Sequence, residues 1–390
     1  DTDAGSTSKG SSDNIFMGYD AGGGTWANAA SNYNVGIGNY SMDAVLNGAL
    51  NNTALGHYSL SALTTGDSNV ALGYAAGAAL TSGHSNIIIG RSAGDAATDM
   101  TDTVIIGHFA GSSINTNNSH GSVLIGSEAG TNQTGGINTF IGYDAGRNNR
   151  TGTYNTTVGY EAGMHATASS NSFVGYQAGK GGTTSAPFSS GANNTAVGYQ
   201  ALRGFTTGGS NTAMGYQAGA AITTGINNTF IGMLAGDVLT TGTNNTVIGY
   251  GALGTADGGE RENIAVGFSA AGGINNDSAI RNVFIGEYAG YGGTGALAYS
   301  VAIGYRALDS TGANNNSGTV AIGYYAGAAI TSGANNFAIG YEALKVHTTG
   351  GNNIAIGYGA MDDTDAGSTS LGSGDNIFIG TNTGGGTWAD

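Results

Sequence analysis

Cysteine is absent from the 390 residues and proline occurs once, at Pro187. No disulfide framework and no thiol chemistry can therefore operate, although this leaves the compartment open. Charge is scarce and one-sided: 10 Lys plus Arg stand against 25 Asp plus Glu, a formal net charge of -15. Such a chain has no basic surface for a phosphate backbone, which excludes a nucleic-acid partner. Charged residues make up 9% of the chain, against about 25% in an ordinary soluble domain, and this argues against a catalytic globule. No apolar run reaches the roughly 18 residues of a membrane-spanning helix, so this segment is expected to make no membrane crossing. The chain opens on DTDAGSTS, which reads as a mature or excised fragment.

Glycine is what the chain has in excess, with 74 copies, and it is placed periodically. A short apolar box closed by Gly recurs 21 times, as in NTALG at 52–56, NVALG at 69–73, NTFIG at 138–142, NTAVG at 194–198 and NIAIG at 353–357. The closing glycines, among them Gly73, Gly142 and Gly215, are spaced mostly 16 to 20 residues apart, with two intervals of 23. The residue before the Gly is always aliphatic, as in Ile89 and Ile356. The residue four before it is Asn in 17 copies, including Asn138; the residue after it is Tyr in 12, including Tyr199; the residue three after it is Ala in 18.

Segments such as Thr64-Thr65-Gly66 and Thr240-Thr241-Gly242 between the boxes carry turn chemistry, and the short box suits a β-strand ending at a corner. One strand per copy at this period predicts an all-β fold, a parallel β-solenoid (β-roll) of 17–19-residue coils. With strands about 4.8 Å apart, a single array over 1–390 makes a rod on the order of 100 Å long. A longer period overlies the short one, since residues 1–28 return at 363–390 at an offset of 362.

Period-two geometry divides each strand into two faces. The expectation is that the residues three and one before the Gly, with the Tyr after it and the Ala three after it, form the inner column. The Ala or Phe two before the Gly and the Gly itself, as at Ala213 and Gly215, then form a small outer face against which other copies pack as a homotrimer, the alternative being a thicker monomeric coil whose two walls cover both faces. The Asn column is read as an inward ladder of amides at a corner. The rival reading is glycosylation, because Asn51, Asn117, Asn132, Asn155, Asn193, Asn227, Asn244, Asn276 and Asn315 open N-x-S/T triplets.

Candidate chemistry is sparse. Asp362, Asp363 and Asp365, with Asp375 beyond them, could ligate calcium through alternating carboxylates, with a solvated loop as the plainer reading. His57, His84, His108, His120, His165 and His347 show no metal-ligand spacing. Asp144, Glu161 and Glu342 sit where Gln177, Gln200 and Gln217 stand in other copies, and a general acid or base does not tolerate that exchange. Trp26 and Trp388 are read as plugs between coils or sugar-stacking rings. Ice binding is set aside because the Thr three before the Gly is expected to point inward.

The boxes NTALG, NVALG, NTAVG and NIAIG resemble the head repeats of YadA-like trimeric autotransporter adhesins, and the GYxAG and TTGxNNT segments resemble repeat regions of bacteriophage tail fibres. The resemblance covers residues 11–390 and implies a trimeric β-roll displayed on a cell or virion surface, with adhesion to a surface or glycan receptor. The expected function is a structural, non-enzymatic shaft or head segment of an extracellular fibre or adhesin, with no cofactor beyond the calcium candidate. The alternative is a phage tail-fibre shaft. A polysaccharide-acting enzyme is the reading from a different class.

Overall fold

The computed structural model describes residues 10–24, 26, 29–114, 120–293, 295, 297–312, 316–362 and 374–384. Among these residues there is no helix, and every strand is three residues long. The chain forms two compact units, Asp1–Asn194 and Thr195–Asp390. The first carries the ten strands from Ile15–Met17 to Ser172–Val174, the second the eleven from Thr195–Val197 to Ile377–Ile379.

Within each unit, successive strands pair in parallel and in strict register. Ile89 stands opposite Ile106 and Ile106 opposite Ile125. Thr195, Thr212, Thr229 and Thr246 likewise form one row. The fold is therefore a parallel β-solenoid with one box per coil. Register is indifferent to coil length: Leu124 opposes Phe140 across a 16-residue coil, and Ala355 opposes Phe378 across a 23-residue one.

Strand brevity follows from the sequence. The residue five before each box Gly has a positive φ, as at Ser68 (59°), Asn227 (59°) and Asn352 (62°), and short polar side chains tolerate this left-handed conformation. At the other end the box Gly turns the chain at φ near +135°, as at Gly73 (137°) and Gly215 (136°). A Cβ on Gly215 would lie 2.5 Å from the carbonyl oxygen of Gly232, one coil on. Glycine is therefore required by the stacking of coils within one chain, and not, as the sequence reading had it, by the approach of a neighbouring chain.

The two faces of the strand are the reverse of the sequence expectation. The middle residue of each strand is the one turned inward: Ala71, Ile88, Phe140 and Ala213 are buried, while Val70, Leu72 and Ile87 beside them are exposed. The in-register aliphatic column through Ile89 thus runs along the outside of the coils. Alternation explains the reversal. The Asn four before the Gly is buried, so the residue two before it must also point in and those three and one before it must point out. A bore only one coil wide has no room for a large side chain at every level, and the outward residues escape that limit.

The bore is closed by the Ala three after the Gly, as at Ala76 and Ala218, and by aliphatic residues seven after it, such as Leu63, Leu80, Ile222 and Leu239. In many coils its volume is balanced between two inward positions. Phe140, Phe173, Phe230 and Phe284 are each followed six residues later by glycine, at Gly146, Gly179, Gly236 and Gly290, whose Cβ would strike the ring. Ala54, Ala196, Ala302 and Ala338 are followed at the same distance by Leu60, Leu202, Leu308 and Leu344, all buried. Large and small thus trade places across the bore in these coils, while at Ala71–Gly77 and Ala213–Gly219 the space beside the glycine is taken by Ile88 and Phe230 of the next coil.

Candidate functional site

Asparagine forms the polar spine of the bore. Asn228 is buried; its Nδ2 donates to Asn211 Oδ1 (3.0 Å) and to the Gly242 carbonyl (2.8 Å). Asn228 Oδ1 in turn accepts the backbone N–H of Asn245 at 3.0 Å. Asn138 is buried in the corresponding place, with Nδ2 donating to the Gly152 carbonyl at 2.9 Å. The Asn228 amide thus binds the coils before and after it. Among the triplet asparagines, Asn155 is buried in this spine, whereas Asn51, Asn193, Asn227 and Asn244 are exposed at the left-handed corner position. Asn132 and Asn276 are half-buried, and Asn117 and Asn315 lie outside the described residues.

Of the calcium candidates, Asp363 and Asp365 lie outside the described residues, and Asp362 is half-buried. Asp375 is an exposed corner residue with φ 62°, and its Oδ1 accepts from Asn352 Nδ2 at 3.1 Å. Among the described residues no three His, Asp or Glu side chains converge as a metal site. Trp26 packs edge-on against Phe16, with ring centroids 5.8 Å apart, and Nε1 donates to the Gly22 carbonyl. Trp388 lies outside the described residues. His57 takes the place of Tyr and stacks on Tyr74 at 5.6 Å.

The carboxylates two after the Gly form a column in the first unit, interleaved with cations. Arg147 bridges Glu128 (2.8 Å) and Asp144 (3.5 Å), and Lys180 lies 2.5 Å from Glu161. Gln177 Nε2 donates to the same Glu161 oxygen at 2.8 Å, so amide and carboxylate share one column. Burial pushes the Asp144 carboxyl above the ordinary range despite Arg147, with Glu128 and Glu161 adding to the rise. Burial also raises Glu161, but hydrogen bonds from Lys180 and Gln177 outweigh it and hold that carboxyl below its usual value.

The outer strand face is the most extended feature. In the second unit the residue before the Gly runs Val197, Met214, Ile231, Ile248, Val266, Ile285, Ile303, Ile322, Ile339, Ile356 and Ile379 without one polar member. Beside it the tyrosines stack in columns: Tyr199 on Tyr216 at 5.1 Å, and Tyr324, Tyr341 and Tyr358 at 4.9 and 5.0 Å. Tyr143, Tyr160 and Tyr176 do the same in the first unit, 5.2 Å apart. Tyr199 is 43% exposed, Met214 44% and Tyr358 55%, so this surface is apolar and open to solvent in the single chain. At strand spacing it spans about 50 Å by about 13 Å in the second unit alone, above the few hundred Å² usual for one apolar patch on a monomer. The Thr row three before the Gly belongs to this outer face as well, contrary to the inward placement expected from the sequence.

Searches against family models, curated proteins and solved structures find no match to this chain. The parallel solenoid itself agrees with the broad class of repeat adhesins and tail fibres to which the boxes point. No helix among the described residues is long and apolar enough to cross a membrane.

Proposed function

We propose that the chain is a non-catalytic section of the shaft or head of a long extracellular fibre or surface adhesin, assembled as a homotrimer through the outer strand face. The observation that carries this reading is the aliphatic column, uninterrupted by charge in each unit, with a border of stacked tyrosines that only Arg91 and Glu287 break with a charge. Burying such a face against copies of itself removes apolar area from water at every coil. Parallel register gives each coil the same partner surface, so affinity grows with the number of coils. A cell-surface or glycan receptor would then be engaged by the assembled fibre, and a phage tail-fibre shaft is the alternative placement of the same rod.

The deciding measurement is the mass of the purified chain by sedimentation together with a cryo-EM cross-section. The expected result is three chains with their strand faces turned to the common axis. A monodisperse monomer at micromolar concentration would overturn the reading.

A second reading rests on the outward Thr row. Thr195, Thr212, Thr229 and Thr246 present hydroxyls and methyls in register beside an aliphatic row, a flat regular surface able to order water as ice does. Thermal hysteresis from a monomeric form tests it; freezing-point behaviour equal to buffer would dismiss it.

A further inference from the structure

One stretch of the bore in the first unit departs from the pattern at several inward positions at once. Seven residues after the box Gly, where Leu63, Leu80 and Ile114 are buried elsewhere in this unit, the chain places Gln133 and, one coil later, Asn149. Their backbone is unchanged, since both N–H groups close the same turn as Leu80, onto Gly130, Gly146 and Gly77 respectively. Two residues before the Gly, the inward column reads Phe140, Thr157, Phe173, and Thr157 is the one hydroxyl in that position across all 21 boxes. All three polar residues are at most 2% exposed.

The polar atoms of this stretch are not satisfied by the protein. Gln133 Oε1, Asn149 Oδ1, Asn155 Nδ2 and Thr157 Oγ1 are each buried without a hydrogen-bond partner. Asn155 belongs to the amide spine. Its backbone N–H donates to Asn138 Oδ1 and its Oδ1 accepts from Asn171, yet its NH2 group donates to neither neighbour. The four groups fall on successive coils of one stretch of the bore, and two of them meet. Asn149 Nδ2 and Asn155 Nδ2 both lie 2.8 Å from the point a Cβ on Gly152 would occupy. Asn155 and Thr157 alternate onto the same face of one strand, and Gln133 stacks one coil from Asn149, its Nε2 bonded to Ser122 Oγ at 2.8 Å.

The equivalent position in the second unit shows the satisfied arrangement. His347, also seven after its Gly and fully buried, reaches the spine directly: its Nε2 lies 2.8 Å from the Gly350 carbonyl and 3.3 Å from Asn353 Nδ2. The Asn149 amide oxygen makes no such contact. Ala166, next in the same column and also buried, is smaller than the Leu or Ile that holds this position at Leu63, Leu80 and Ile114.

We propose that this section of the bore is a binding site for sequestered water, about one or two molecules each making roughly three hydrogen bonds among Gln133, Asn149, Asn155 and Thr157. The donor set selects the occupant. Two amide oxygens ask for a donor, the Asn155 NH2 asks for an acceptor and the Thr157 hydroxyl can take either, and water supplies both. A bare cation would face that NH2 group, and an anion would face the two amide oxygens. Turning the Asn149 amide over exchanges donor for acceptor, which water again accommodates. Leaving the four groups dry would cost more than an ordinary hydrogen bond returns.

A crystal structure of the full chain at a resolution that shows solvent, repeated after a thallium(I) soak, tests the assignment. The expected result is density within hydrogen-bond range of at least two of the four atoms, with no anomalous peak. A dry site in which the amides have turned to bond one another overturns the proposal, and so does a thallium peak there. In solution, a Gln133→Leu/Asn149→Leu variant copies the coils at Leu63 and Leu80 and is expected to lower the number of long-lived waters counted by oxygen-17 relaxation. A folded variant with an unchanged count also overturns it. Should the variant not fold, the wild-type crystal still decides.

Discussion

The ring of Phe140 occupies the space in which Gly146 has no side chain: a Cβ there would stand 2.6 Å from two ring carbons. The pair is one unit of volume shared across the bore, and it replaces the Ala54–Leu60 pair of an earlier coil.

Gly146→Ala is accordingly expected to destabilise the fold by about 1–3 kcal/mol through overpacking, added to the cost of a left-handed φ of 58°. Phe140→Ala opens a cavity at a cost of about 3–5 kcal/mol. The double variant Phe140→Ala/Gly146→Leu rebuilds the other pairing and is expected to cost less than the sum of the single changes. A double-mutant cycle by denaturant unfolding measures the coupling, and simple additivity would refute the shared-volume account.

Opposite faces of one strand are expected to fail in different ways. Ile339→Asp places charge on the outer face and is expected to dissociate the assembly while leaving the coil folded. Ala338→Asp, one residue away and fully buried, puts an unpaired carboxylate in the bore and is expected to abolish folding. Circular dichroism with light scattering separates the two outcomes, and equal loss of structure would count against the face assignment.

The amide spine predicts a local defect. Asn228→Ala removes bonds to Asn211, Gly242 and the Asn245 N–H, and is expected to cost about 1–3 kcal/mol because the partners left behind are buried. Faster hydrogen exchange at Asn245, against unchanged exchange several coils away, is the signature to seek.

Asp144 and Glu161 predict opposite pH behaviour. The Asp144 carboxyl is raised by burial, so ionising it works against the fold above that raised value and not at all below the unfolded one. Asp144→Asn should therefore be more stable than wild type at neutral pH, the advantage fading as pH falls through the carboxylate range. Glu161 is lowered by Lys180 and Gln177, so its contribution is complete above the unfolded value and lost as pH falls through the depressed one. Glu161→Gln should be destabilised at neutral pH and match wild type in acid. Melting temperatures from pH 2 to 8 (about the span of the relevant titrations) check both signs.

The coil, the strand and the register were legible because 21 copies of one box align themselves, and three-residue strands leave no alternative pairing. Facing was not, because both faces of the strand are apolar and the larger aliphatic side chains look like a core. The buried Asn held the answer: alternation from Asn86 makes Ile88 the inward residue and Ile89 the outward one. The Phe–Gly compensation was equally visible, in Phe16–Gly22 and Phe378–Gly384 as well as in the buried pairs, but only pairing inward positions across the bore gives it meaning. The unpaired amide oxygens of Gln133 and Asn149 could not be read, since a polar atom at a core position is satisfied or not by distances no sequence records.

Because a coil of 16 residues and one of 23 advance the strand row by the same step, corner insertions are free of any consequence for pitch. Peptide grafted between Lys180 and Ser189, both of which bond to His165 on the preceding coil, would be held out from the side at a height set by its coil number, and peptides on several coils would be spaced like marks on a ruler. The array is in this sense a scaffold for periodic display, whose payload can lengthen or vary without disturbing the spacing of its neighbours.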